Sequence, residues 1–449
     1  MIPDRFGALH ENCDPQALAA YESAAAEFLR HRSPVPSLFH ALALDPRHGG
    51  ALALKGFCNI LLARQETVAQ ARAIYSDMPE KSGSSRDLVL REALGLCCEG
   101  RTERAIAILR EYLADRPSDI VAIKIVHALQ FMSGAGRDMA AFMQERLGRL
   151  DAHAPGYAYV LGCHAFALEE AGDFAQAEAL AQAALHGDRC DLWAMHALAH
   201  VYEMNGRNRE GVIWIESARD LWADAGNFGF HLAWHLALFN LNLGKSDRAL
   251  AIYDYDVRAV RTEDFRDMAN AVSILWRLRQ EGVDTGERFE ELAEIARRRS
   301  ADTTLIFASL HNLLALIATG DLDGAEALLS SLRAEALCAD RTQAAVVKTI
   351  GLPLAAALVD FARADSNASL RRGLSDLPLR DLPLLGGSHA QSDVFLRSLA
   401  MMAAQSGDRN FLDSVLGVRH EMRSADRFLA MVETLARERR AARTLGHAA

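Results

Sequence analysis

Apolar residues recur along this chain at helical spacing in runs that stop at a glycine followed by a polar residue. They then resume as a new amphipathic stretch. The stopping glycines are Gly100, Gly134, Gly172, Gly206, Gly244, Gly282 and Gly320, with successive spacings of 34, 38, 34, 38, 38 and 38. A period in the thirties predicts a helical solenoid whose unit is a pair of helices. The clearest copy runs from Tyr157 to Asp191, with its turn at Glu170-Ala171-Gly172-Asp173-Phe174. Five residues after the glycine stand Ala105, Ala177, Ala249 and Ala325, and Gly211 holds that place after Gly206. A small residue there lets the second helix of a pair approach the first.

Outside the centre the pattern is weaker. Residues 16–78 fit two more helical hairpins with a break at Asp45-Pro46, and Ser82-Gly83-Ser84-Ser85 reads as a loop. The phase is lost after Gly320. The stretch 374–388 is irregular, helices resume near Ala390, and a capping helix ends in the basic tail Arg437 to Arg443. The expectation is one continuous all-α helical-repeat domain over residues 1–449. It has degenerate N-terminal repeats over 16–150, central repeats over 151–330, and C-terminal helices with a cap over 331–449.

Composition narrows the class. Half the residues are hydrophobic, and no proline lies between Pro155 and Pro353, so nothing in that interval lacks a backbone donor. A net charge of −10 disfavours a nucleic-acid surface, which needs clustered Lys and Arg. Seven scattered cysteines with no CxxC read as reduced thiols. No basic-then-apolar leader opens the chain, and no window approaches ~18 uninterrupted apolar residues. These features point to a cytoplasmic protein with neither membrane nor nucleic acid among its partners.

Chemistry concentrates in two histidine pairs, His196-Ala-Leu-Ala-His200 and His231-Leu-Ala-Trp-His235, with Glu203 three residues past His200. Residues four apart share one helix face, so each pair projects two imidazoles from one stripe. A lone histidine on an Ala/Leu-rich helix is more often a packed residue, as expected for His127, His153 or His164. Two such pairs on consecutive repeats shift the balance toward a site.

The helix-pair pattern resembles a loosely kept tetratricopeptide repeat. The large aromatic near the start of each first helix is mostly replaced, by Leu161, Met195 and Ala233. In that repeat the first helices line a concave groove. Counted back from the tip glycine, His231, His196, His200 and Glu203 fall at −13, −10, −6 and −3, which the resemblance makes groove-facing. His235 and His311 share the offset −9, and His164 falls at a packing offset.

Longer motifs resemble the tetratricopeptide repeat protein 38 family over roughly residues 90–440. They are Ala194-Met195-His196-Ala197-Leu198-Ala199-His200-Val201-Tyr202-Glu203-Met204, then His231-Leu232-Ala233-Trp234-His235-Leu236-Ala237-Leu238, then Ala251-Ile252-Tyr253-Asp254. Asp267 and Asn270 follow, ahead of Leu275-Trp276-Arg277-Leu278, then His311 near Phe307, and Gly386-Gly387-Ser388-His389-Ala390-Gln391-Ser392-Asp393-Val394-Phe395. The resemblance implies an α-helical repeat superhelix and no particular reaction.

The matched polar set is His196, His200, Glu203, His231, Trp234, His235, Asp267, His311, His389 and Asp393. It is richer in His and acids than a peptide-docking groove built from Asn, Lys and Arg. The first reading is a concave pocket that binds a small polar molecule or peptide, with Trp234 as a flat wall. The second is an enzyme. His196, His200, His231 and His235 are candidate ligands for a transition metal, although no cofactor is required. Alternatively His200, His231, Glu203 and His389 do acid–base work, His389 being delivered by a flexible loop. Ala197 and Leu232 occupy the Glu slot of HExxH, and no GxSxG, P-loop or GxGxxG is present. Cys163 beside His164 is a weaker nucleophile candidate. The third reading is an assembly scaffold with a protein partner.

Overall fold

The computed structural model describes residues 2–11, 13–80, 84–363, 374 and 376–446. Among the described residues the chain is mostly helical (75%), with 24 α-helices packed mainly as sequence neighbours, consistent with a helical-repeat solenoid. Among the described residues, strand pairing is confined to a two-residue antiparallel pairing of Ile2–Pro3 with Leu9–His10.

All seven tip glycines are where the helices turn. Tyr157–Glu170 and Phe174–Gly187 flank Gly172, and Leu192–Met204 and Asn208–Ser217 flank Gly206. The seven have φ between +69° and +87°. That left-handed conformation costs a Cβ-bearing residue energy and costs glycine none. It also closes the helix end. At Gly172 the glycine N–H donates to Glu169 O at 2.9 Å and Asp173 N–H to Leu168 O at 2.9 Å, so two terminal carbonyls are satisfied. An eighth turn of this kind, at Gly407 with φ +68°, separates His389–Ser406 from Arg409–Met422. The lost phase after Gly320 therefore reflects the intervening segment and not the end of the hairpins.

The expected N-terminal hairpins are Pro15–Leu29 with Val35–Leu44, and Gly49–Leu61 with Gln65–Asp77. Pro46 follows the end of its helix, as expected. Of the loop 82–85, Ser82 and Gly83 lie outside the described residues, and Ser84 caps the next helix by accepting from Asp87 N–H at 3.1 Å. The irregular stretch contains a 3-10 turn, Leu379–Leu385. The tail side chains beyond residue 441 lie outside the description. Thr342–Ala362 is one helical run long and apolar enough to cross a membrane by length and composition, and 56% of its apolar window is buried.

The chain separates into two compact units. Unit 1 comprises Met1–Val201, Asp220–Phe228 and Asp340–Gln343; unit 2 comprises Tyr202–Arg219, Gly229–Ala339 and Ala344–Ala449. In unit 2, helix Phe265–Gln280 packs against Ile306–Thr319 and also against the distant His389–Ser406. Trp276 Nε1 donates to Ser398 Oγ at 2.9 Å, and Arg397 reaches Glu281 at 2.9 Å. These contacts carry the C-terminal motif to the face of the Phe265–Gln280 helix.

The small residues five past Gly100, Gly172, Gly206, Gly244 and Gly320 are packed as expected. Ala105, Ala177, Ala249 and Ala325 are fully buried, and a Cβ built on Gly211 would stand 2.3 Å from the Phe239 ring. Gly211→Ala is expected to destabilise by about 1–3 kcal/mol through overpacking. Gly172→Ala meets nothing within 4 Å, so its loss, about 1–2 kcal/mol, isolates backbone strain. Urea unfolding of the two variants measures both.

Candidate functional site

In unit 1 the helix Leu192–Met204 begins where Asp191 Oδ1 accepts the backbone N–H groups of Trp193 and Ala194 at 3.0 and 3.2 Å. This cap fixes the helix that presents His196 and His200 from one stripe. Their Nε2 atoms are 2.8 Å apart, a distance that requires one proton shared between two imidazoles. The His196 ring stacks on Phe166 at 5.3 Å and is edged by Phe228 at 5.4 Å. On its other side His200 Nδ1 lies 3.3 Å from Glu169 Oε2 and 3.9 Å from Glu170 Oε1. Donor atoms from Glu169, Glu170 and His200 all fall within 4.8 Å of one another, and all three residues are buried.

The two glutamates end the helix Tyr157–Glu170. Carboxylates at a helix C-terminus meet the negative end of the helix dipole, and burial removes the water that would screen them. Positive charge stabilises such a pair, and the donor atoms gathered here could hold a metal ion. Neither glutamate was among the residues expected from sequence. Glu169 nonetheless sits three before its tip glycine, the offset shared by Glu203.

Nearby groups in unit 1 are tuned away from nucleophilic work. Burial pushes the Cys163 thiol up to about 11, even with Lys124 Nζ at 3.4 Å. A thiol held protonated at neutral pH is a poor nucleophile, so Cys163 packs. Burial also raises Asp191 to about 7, and burial together with Lys124 holds His127 well below its usual value.

In unit 2 the helix Asn227–Asn242 presents His231, Trp234 and His235. His231 Nδ1 lies 2.9 Å from Asn270 Oδ1, and the His231 ring stacks on Trp234 at 5.2 Å. Trp234 Nε1 donates to Ser273 Oγ at 3.2 Å. His235 Nδ1 is 3.0 Å from Glu203 Oε2, and Arg423 Nη1 lies 3.6 Å from the other Glu203 oxygen. Arg423 also reaches Asp393 at 3.2 Å, and Arg419 grips Asp393 with bonds of 2.6 and 3.1 Å. Burial alone would raise the Asp393 carboxyl, but Arg419, Arg423 and Arg277 outweigh it and hold it well below the usual carboxylate range.

The remaining expected residues have separate surroundings. Asp267 accepts from Thr262 Oγ1 in the first turn of its helix. His311 Nδ1 donates to Phe307 O at 2.8 Å, and its ring lies 5.1 Å from Phe395. Burial, aided by Arg277, depresses His311 to about 4. His389 is half-buried and opens a helix fixed by a Ser388–Gln391 capping box, so a capped helix and not a flexible loop carries it. Thus unit 2 gathers Glu203, His231, Trp234, His235 and Asp393, linked through Asn270, Ser273 and Arg423. Those linking residues were not expected as site members. No protein-family model matches the chain.

His311 gives a pH dependence with a definite sign. Its folded value near 4 lies below the unfolded 6.5, so the unfolded chain binds the proton first and stability is complete above pH 6.5. Stability is expected to fall as pH drops from 6.5 toward 4. His311→Gln should flatten that slope relative to the wild type in urea titrations at successive pH values.

Proposed function

We propose that this chain is a helical-repeat binding protein that holds a divalent transition metal on Glu169, Glu170 and His200 and takes a small polar molecule on its His- and acid-rich helix faces. The observation that carries the reading is the pair of buried glutamates at a helix C-terminus, with His200 Nδ1 at 3.3 Å from one and 3.9 Å from the other. One imidazole with two carboxylates suits Mn, Fe or Zn. His196, at 2.8 Å from His200 Nε2, orients the ligand ring from behind, as outer partners of metal-bound histidines do. The resemblance to the tetratricopeptide repeat protein 38 family is compatible with this reading, since it implies an architecture and no reaction.

An enzymatic reading draws on one specific contact. His235 at 3.0 Å from Glu203 has the form of an imidazole oriented by a carboxylate, the arrangement used for proton transfer. A peptide or protein partner draws on no such contact.

Protein expressed with Mn, Fe and Zn supplements, then dialysed, is expected to retain stoichiometric metal by elemental analysis. A chelator should lower its melting temperature. Glu169→Gln/Glu170→Gln should lose the metal and the chelator response while keeping its helical circular dichroism. Metal-free wild type after supplementation, or a double variant that binds like wild type, sinks the proposal.

A further inference from the structure

Arg277 is a fully buried guanidinium in unit 2, 2% exposed, with no carboxylate within ion-pair distance among the described residues. Its neighbours are neutral. Nη1 donates to Ser273 Oγ and to Ser273 O at 3.4 Å, and Nη2 donates to Ala390 O at 2.8 Å. The Trp234 ring lies under it, 5.6 Å from Cζ. Asp393 and Glu203 are near enough to attract it, yet both are held elsewhere: Asp393 by Arg419 and Arg423, Glu203 by His235 and Arg423. Every other arginine buried as deeply in this unit is paired. Arg397 meets Glu281 at 2.9 Å, and Arg419 meets Asp393 at 2.6 Å.

A buried cation without an anion is costly, and removing its partner from such a pair typically costs several kcal/mol. The guanidinium has five N–H donors, and the oxygens that accept from it, Ser273 O, Ser273 Oγ and Ala390 O, are all neutral. A guanidinium pairs most strongly with a carboxylate, through two parallel N–H bonds.

Two further groups point the same way. Asn270 stands about two turns up the same helix and on the same face, seven residues before Arg277, and is 1% exposed. Its Oδ1 meets His231, and its Nδ2 is buried with no partner. Rotating the amide merely exchanges which end is left unpaired. His311 donates through Nδ1 to Phe307 O, which leaves Nε2 as a buried lone pair without a partner. One helix therefore carries an unmatched cation and an unmatched amide donor, with an unmatched acceptor on the helix packed beside it. Native proteins leave few such groups unsatisfied, and a run of them marks a place completed by something else.

We propose that unit 2 binds a small hydroxy-carboxylate, its carboxylate on Arg277 and Asn270, its hydroxyl donating to His311 Nε2, and its carbon skeleton against Trp234. A monoanion matches the charge better than a phosphate dianion, because Arg277 is the one deeply buried guanidinium among the described residues whose contacts are all neutral. The inference names the ligand class of the small-molecule reading above and does not depend on the metal.

The test uses full-length, chelator-treated protein titrated with glycolate, acetate and the neutral glycolamide at constant ionic strength. Saturating glycolate is expected to raise the melting temperature by about 2–4 °C. Acetate should bind more weakly and glycolamide not at all. Arg277→Met should abolish the glycolate shift. Asn270→Asp keeps an acceptor for His231, loses the amide donor and adds charge, so it should weaken glycolate by about tenfold or more. That variant decides the matter if Arg277→Met does not fold. Equal shifts from glycolate and glycolamide would leave a small-molecule pocket standing and overturn the anion assignment. Absence of any glycolate shift, or wild-type binding by Asn270→Asp, overturns it as well.

Discussion

Charge buried among apolar helices has to be matched where it stands, and that constraint organises both units. In unit 2 the match is dense. Arg419 on the Arg409–Met422 helix holds Asp393 on the His389–Ser406 helix and also Asp426, whose Oδ1 accepts Leu429 N–H at 3.1 Å as the last helix begins. Arg423 joins Asp393 to Glu203. Three C-terminal helices and a residue from the centre of the chain are thereby held by one set of ions. Burial by itself would neutralise these acids. The guanidiniums reverse that, and Asp426, like Asp393, is kept low, at about 2.

The two proposed sites draw on opposite charges. Unit 1 gathers two buried carboxylates and one imidazole whose donor atoms lie within 4.8 Å of one another, a set suited to a cation. Unit 2 leaves the Arg277 guanidinium on neutral oxygens while its acids are held by other arginines, a setting suited to an anion. Unit 1 also contains a matched counterpart, Arg86 with Asp119 at 2.6 Å and Tyr21 at 3.1 Å, which shows what a purely structural pair looks like there.

Much of the fold was legible because its signals are local. A residue at positive φ is cheapest as glycine, so seven tips were marked by residue type alone. A helix pair in close contact needs a small residue, so Ala105, Ala177, Gly211, Ala249 and Ala325 were readable by offset. Gly407 lies outside the run of 34- and 38-residue spacings that ends at Gly320, so its place in the repeat had no periodic signal. The site was legible in part. His196 with His200 and His231 with His235 follow from i,i+4 spacing. Glu169 carried the −3 offset of Glu203, a signal that was present and unused. Asn270 and Arg277 entered only as motif residues with no role attached, and Ser273 and Arg423 had no signal, since on a helix a buried arginine and an exposed one share the same spacing.

The sequence by itself determined the elements: where helices start and stop, which residues share a face, and which pairs are close enough to pack. Those properties depend on backbone geometry within a few residues. The tertiary structure alone decided which charges are paired. Arg277 and Arg397 stand on similar helices, yet one finds Glu281 and the other only carbonyl and hydroxyl oxygens. Glu169 and Glu203 share a repeat offset, yet one faces His200 and the other His235 and Arg423. Long-range packing sets those distances. At low dielectric a few ångströms separate a matched ion from a site awaiting its ligand.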